Sequence, residues 1–214
     1  MFNIKPIALV GGTVVCAVGF LLFIPLTTEL IYQTESWQSY AVPILLYLIV
    51  GGSLVITNRN VELKISIKEA FIITVLSWVL LAILCSIPFI YTQLKLSVID
   101  ALFESMSGIT TTGATILNNI DDLPKGILIW RALLQWLGGI GIVVIALVIL
   151  PFLRIGGMQL FHLEGDDPYD KFLPKISSVV TKIIFVYSGL TVLLVFLYFA
   201  NGMTLFDAIA HSFT

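Results

Sequence analysis

An all-α integral membrane fold is predicted for this chain. It is built of helix–half-helix–helix units in tandem after a leading transmembrane helix pair, and it is truncated after the start of the second unit. Three observations predict it: five charge-free apolar runs of membrane length, a capped half-length helix followed by Thr-Thr-Thr-Gly, and an internal repeat that carries Ser97 onto Thr204. The 214 residues are 58% hydrophobic and 11% charged, where soluble domains hold about 45–50% and about 25%. A soluble globular domain and a disordered chain are thereby excluded. Lys+Arg 11 against Asp+Glu 13 leaves no basic surface for nucleic-acid phosphates. The expected partner is the lipid bilayer and not nucleic acid. Cys16 and Cys85 both lie in apolar runs and read as small core or lipid-facing residues, since two cysteines make no disulfide framework.

The charge-free runs are 7–26, 36–58, 70–94, 132–153 and 183–206. Each reaches the roughly 20 residues an α-helix needs to cross hydrocarbon. Backbone groups in lipid must be satisfied within the segment, so the runs are helices. The first is too long, and its flank holds too little positive charge (Lys5), for a signal peptide. With the N-terminus cytoplasmic, one face receives Lys5, Arg59, Lys64, Lys68, Arg154, Lys171, Lys175 and Lys182; the other receives Lys95, Lys125 and Arg131. That asymmetry sets the orientation, with loops 57–69 and 154–182 inside and loops 28–38 and 92–130 outside.

Between the third and fourth runs, Ser97 and Asp100 form a capping-box-like helix start. Val98, Ala101, Leu102 and Met106 then mark an apolar face at helical spacing, and Gly108 is a plausible end. Such a helix is roughly 18 Å long, about half the hydrocarbon core. It is either a re-entrant half-helix or an amphipathic helix on the outer surface. Thr110, Thr111 and Thr112 before Gly113 suit an extended chain. Glycine can turn successive carbonyls toward one axis, as in cation filters; the alternative is a Thr-rich outer loop.

The repeat favours the first reading. Ser97, Asp100, Ala101 and Ser105 match Thr204, Asp207, Ala208 and Ser212, and Lys68 matches Lys175. One unit occurs twice in the same orientation. At that offset a second Thr-Thr-Thr-Gly falls at 217, past the last residue.

Other candidates are weaker. Gly138, Gly139 and Gly141 lie within an apolar run and read as helix packing, not a dinucleotide fingerprint. His162, Glu164, Asp166, Asp167 and Asp170 read as a solvated acidic turn. His211 stands four residues after Asp207, in a hydrogen bond with it or facing the vestibule. Glu104 either concentrates cations at the outer mouth or pairs with a base such as Arg131. A phosphate-binding membrane enzyme would need a basic residue beside the Thr-rich turn, and none lies between Lys95 and Lys125. No Ser-His-Asp set, paired catalytic carboxylates or zinc spacing appears, so no enzyme is expected.

Four motifs carry a family resemblance: Phe-Glu-Ser-Met-Ser-Gly-Ile-Thr-Thr-Thr-Gly-Ala-Thr at 103–115, Trp-Leu-Gly-Gly-Ile-Gly-Ile-Val-Val-Ile-Ala at 136–146, Leu-Pro-Phe-Leu-Arg-Ile-Gly-Gly-Met-Gln-Leu-Phe at 150–161, and Phe-Asp-Ala-Ile-Ala-His-Ser-Phe at 206–213. With these the chain resembles the N-terminal half of the TrkH/TrkG potassium-uptake family, in the superfamily that also holds KtrB and the plant HKT proteins. The resemblance implies tandem membrane–pore helix–membrane repeats around one pore. The domains are then a leading pair at 1–60, a first repeat at 68–153 with its filter at 110–114, a cytoplasmic loop at 154–176, and an incomplete second repeat at 177–214.

It further implies potassium uptake across the bacterial cytoplasmic (inner) membrane by the pore-forming subunit of a Trk-type system, with K⁺/H⁺ symport as one mode. The filter is Thr110, Thr111, Thr112, Gly113 and Ala114, with K⁺ on the carbonyls of Thr111, Thr112 and Gly113. Ser97, Asp100, Glu104, Asp207 and His211 belong to pore helices and vestibule. No cofactor is bound; K⁺ is the transported ion. Implied partners are a second copy of the subunit, the cytoplasmic TrkA nucleotide-binding ring, and the missing C-terminal repeats or another chain to complete the pore. The alternative is a non-conducting, truncated or assembly-dependent membrane subunit.

Overall fold

A computed structural model describes residues 4–61, 67–149 and 168–214, and every regular element among them is helical. Five helices are long and apolar enough to cross a membrane. The chain forms two compact units, Met1–Gln135 and Trp136–Thr214.

In the first unit, α1 (Ile4–Leu21) runs almost directly into α2 (Phe23–Ile31). The charge count ends this span near residue 26, but the helix continues to Ile31, so Glu29 is helical and fully buried. A 3₁₀ turn at Glu35–Trp37 leads into α3 (Gln38–Asn58). Helices α1 and α3 meet through glycines. A Cβ on Gly12 would stand 2.7 Å from Leu54 Cβ, and one on Gly51 would stand 2.7 Å from Cys16 Sγ. Without a hydrophobic drive between helices in lipid, such close backbone approach is what holds them together.

Next come α4 (Ile67–Tyr91), the half-length α5 (Val98–Ile109), a 3₁₀ turn at Ile120–Asp122, and α6 (Lys125–Ile149). Pro88 inside α4 has no N–H for the carbonyl of Leu84. The Tyr47 hydroxyl of α3 donates to that oxygen at 2.8 Å. Hydrocarbon offers no water to do so, so the proline's missing bond becomes a tie between helices. Trp130 of α6 likewise donates its Nε1–H to the carbonyl of Cys85 at 3.0 Å. Cys85 is buried and Cys16 half-buried, as small packed residues.

The second unit holds the rest of α6, then α7 (Pro168–Ala200) and α8 (Leu205–Phe213). The loop expected at 154–176 is corrected at its end: residues 168–176 are the first turns of α7. Proline at the first helical position starts this helix, because its ring presets φ and its missing N–H would have had no partner. Trp136 organises the unit. Its ring stacks on Phe213 at 5.4 Å and tilts against Tyr187 at 5.4 Å, and its Nε1–H donates to Thr191 Oγ1 at 2.9 Å. The packing expected of the glycine run is not uniform: Gly138 is buried, but a Cβ on Gly141 would meet nothing within 4 Å. The motif at 150–161 and the acidic turn His162, Glu164, Asp166 and Asp167 lie outside the described residues.

Candidate functional site

The half-helix starts as its residue types dictate. Ser97 is extended (φ −61°, ψ 156°), its Oγ accepts the Asp100 N–H at 3.2 Å, and it donates to Asp100 Oδ2 at 2.7 Å. The buried face differs from the apolar one the spacing suggests. Val98 (60% exposed) and Met106 (41%) point away from the protein, while Ala101, Glu104, Ser105, Ser107, Gly108 and Ile109 are buried. In an apolar solvent, small and polar side chains are the ones that gain from facing protein. Ser105 donates to the Ala82 carbonyl of α4 at 2.8 Å. Gly108 does not end the helix; it lies one residue inside it, where a Cβ would come 3.0 Å from Leu134 Cβ of α6.

The helix closes on threonines. The Thr111 N–H bonds the Gly108 carbonyl and the Thr112 N–H bonds the Ser107 carbonyl, both at 3.0 Å, with Thr111 at φ 57°. This is a Schellman closure, which usually has glycine at the left-handed position. Residues 110–113 are therefore not extended throughout as expected: Thr110 and Thr111 form the capping turn, and the chain leaves it only from Thr112. A β-branched residue at positive φ is an outlier, of a kind that clusters at functional sites. Gly113 follows at φ 74°. From Thr110 (φ −81°) to Gly113 the sign of φ alternates.

Among the described residues, no hydrogen bond reaches the carbonyls of Thr110, Thr111, Thr112 or Gly113. The Ala114 carbonyl does have a donor, Ser107 Oγ at 2.6 Å. Thr110 Oγ1 donates to the Met106 carbonyl at 2.8 Å and lies 2.8 Å from Thr112 Oγ1. Residues 111–116 are exposed.

Glu104 holds the outgoing strand. Buried to 2% exposure, it accepts from Thr115 Oγ1 and from the Ile116 N–H through Oε1, each at 2.6 Å, and pairs through Oε2 with Arg131 Nε of α6 at 3.0 Å. Of the two roles open to it, pairing with Arg131 is the one found. On the second half-helix Thr204 repeats the cap, donating to Asp207 Oδ2 at 2.6 Å and accepting its N–H at 3.2 Å. His211 is exposed and lies edge-on to Tyr198, with ring centroids 6.5 Å apart. Thus within one unit Glu104 braces the chain leaving the Thr110–Ala114 segment while Ser97 and Asp100 stand at the opposite end of α5, and Asp207 and His211 belong to the other unit. Ser107, Thr115 and Gln135, whose amide nitrogen would lie 3.8 Å from a Cβ on Gly113, were not singled out by sequence. Thr115 continues the threonine run and was visible in principle. The Ser107–Ala114 bond has no sequence signature.

Membrane-length helices around a capped half-helix define a multi-pass all-α membrane protein. The family described as "TrkH: Cation transport protein" matches residues 37–214, and the chain belongs to that family. It is 37% identical over 214 residues to the Trk system potassium uptake protein TrkH of Escherichia coli K12, covering 99% of this chain and 44% of that protein. It is 35% identical over 209 residues to TrkI of Halomonas elongata, covering 98% and 42%. The crystal structure of the potassium transporter TrkH from Vibrio parahaemolyticus superposes with a TM-score of 0.86 at 33% identity, over 99% of this chain and 42% of that one. The chain thus spans less than half the length of these relatives. They are transport proteins, not enzymes.

Proposed function

We propose that this chain takes part in potassium uptake across the bacterial cytoplasmic membrane, as pore-forming material of a Trk-type system. The observation that carries the reading is the run of four carbonyls, Thr110 to Gly113, that no described donor reaches. Successive carbonyls bearing partial negative charge replace an alkali ion's hydration shell. Alternating signs of φ, with glycine at 113, let successive carbonyls turn toward one side. The closed end of α5 adds about half a negative charge behind them. We assign K⁺ to the carbonyls of Thr111, Thr112 and Gly113 and leave Ala114 out, because Ser107 occupies its oxygen. Glycine at 113 fits K⁺ over Na⁺.

One such segment lines one side of a path, so further repeats, on this polypeptide or another, enclose the ion. The basic-residue asymmetry supports an N-terminus in the cytoplasm. A homodimer and the TrkA ring on the cytoplasmic side complete the proposal, with proton symport as its coupling mode.

The test is Rb⁺ uptake by K⁺-uptake-deficient bacteria expressing the protein from its own gene, with and without a proton uncoupler. A lowered Rb⁺-over-Na⁺ preference in Gly113 and Thr112 substitutions at matched membrane levels supports the reading. No uptake by the unaltered protein together with its TrkA partner overturns it. Uptake indifferent to the uncoupler removes the symport part alone.

A further inference from the structure

Glu29 is a buried carboxyl group that the filter does not use. It sits near the end of α2, is 0% exposed, and reaches across the first unit to the start of α6. There its Oε1 accepts the Gly126 N–H at 2.7 Å. Its Oε2 accepts the hydroxyl of Thr34, the residue that closes α2 by donating its own N–H to the Glu29 carbonyl at 3.1 Å. Gly126 is the second residue of α6, so its N–H is one of the first-turn donors that a helix cannot satisfy itself. The positive end of the helix dipole favours an acidic group at that place.

Gly126 is shaped for this contact. A Cβ there would overlap the carboxyl group, at 2.6 Å from Glu29 Cγ and 2.8 Å from Cδ. Elsewhere in a helix glycine is a poor choice, so its presence at a dry helix start has its explanation in the docked side chain. The same helix then carries the supports of the Thr110–Ala114 segment. Trp130 fixes it to α4, Arg131 holds Glu104, and Leu134 fills the space beside Gly108.

We infer that Glu29 is a positioning residue for ion selectivity: docked on the start of α6, it sets the height of that helix and, through Arg131 and Glu104, the geometry of the filter carbonyls. The leading helix pair thus has a task in the pore rather than being only a membrane anchor. This rests on the proposed K⁺-coordinating role of residues 111–113.

The experiment compares Glu29→Ala, Glu29→Gln and Gly126→Ala in the protein expressed from its own gene. It reads Rb⁺ uptake against Na⁺ competition at matched membrane levels, and thermal unfolding in detergent. Glutamine still offers an oxygen to the Gly126 N–H, so Glu29→Gln keeps near-normal selectivity. Glu29→Ala and Gly126→Ala each lower K⁺-over-Na⁺ preference by roughly tenfold, equivalent to about 1.4 kcal/mol. If Glu29→Ala does not accumulate, Gly126→Ala carries the test, since it changes one hydrogen into a methyl group. Unchanged selectivity in Gly126→Ala overturns the inference, as does a Glu29→Gln protein as impaired as Glu29→Ala. If the unaltered protein takes up no Rb⁺, the functional proposal fails instead. The docking is then read from unfolding alone. Alanine raises the melting temperature at an ordinary helix position and lowers it here; a rise removes the docking too.

Discussion

The two copies of the repeated unit share the backbone of their turn and cap and differ in what surrounds it. The caps of α5 and α8 agree closely: Ser97 at φ −61°, ψ 156° and Thr204 at φ −62°, ψ 153°. The turn before each half-helix also agrees, with a left-handed residue at equivalent positions, Lys95 at φ 44° and Gly202 at φ 95°. Ala101 and the equivalent Ala208 are both fully buried. Beyond these the copies part. Ser105 donates across to α4, whereas its counterpart Ser212 turns back to the Ala208 carbonyl of its own helix. Glu104 is a buried brace; the residue in its place is His211, exposed on the edge of Tyr198. In its most apolar stretch the α4 span is 22% buried and the α7 span 6%. Cap and turn chemistry therefore builds the half-helix without help from neighbours, and neighbours decide which of its side chains become structural.

That division can be broken most forcefully at Glu104. Replacing it by alanine leaves Arg131 without its carboxylate and the Ile116 N–H without its acceptor, a change on the order of 3–5 kcal/mol for a broken buried pair. Thermal unfolding and membrane abundance should both fall steeply, with uptake lost; a mild effect would mean that the outgoing strand holds itself. Next in size is Gly113→Ser. A Cβ there has room, its nearest neighbour being Gln135 at 3.8 Å, but φ is 74°, which costs a non-glycine residue about 1–3 kcal/mol. Falling on one ion and not the other, that is roughly a five- to more than hundredfold change in Rb⁺-against-Na⁺ uptake at 1.4 kcal/mol per decade. Stability should change less than selectivity.

The paired turns sharpen the comparison at about 1–2 kcal/mol. Gly202→Ala meets no atom within 4 Å, so it should lower the melting temperature through backbone strain alone. Lys95→Gly, at the matching place, should raise it. A shift of the same sign in both would show that the two turns do not share one strain. The smallest expected effect is His211→Ala, within about 0.5 kcal/mol; a large fall in melting temperature would give His211 a structural part like that of Glu104.

Much of this fold is legible in sequence because its signals are local. Charge-free runs mark spans through length alone, and Ser97 and Thr204 mark caps through three-residue spacing. What escaped depends on distant partners or on the solvent. Glu29 reads as an outer-loop acid until Gly126, ninety-seven residues away, arrives beside it. The face of α5 was misjudged because ranking by hydropathy sends Val98 and Met106 inward, a rule for helices in water. Thr111 at positive φ has no sequence signal, because Gly113 two residues later is the residue type suited to that conformation. The Thr-Thr-Thr-Gly segment was visible, but the Ser107 hydroxyl on the Ala114 carbonyl was not.

Ser107 grips both limbs of that segment. Its carbonyl takes the Thr112 N–H on the way in, and its hydroxyl holds the Ala114 oxygen on the way out. The three residues from Thr112 to Ala114 form a short stapled arch, stiff in the way a span is stiff when both feet stand on one pier. Ordinary thermal displacement in a folded protein is about 0.5 Å along each axis. Because the feet move together, much of that jitter carries the arch as a whole and leaves the spacing within it unchanged. In the filter proposed above, discrimination between ions of similar charge would then depend less on how still the surrounding helices are than on one serine that keeps the two limbs in step.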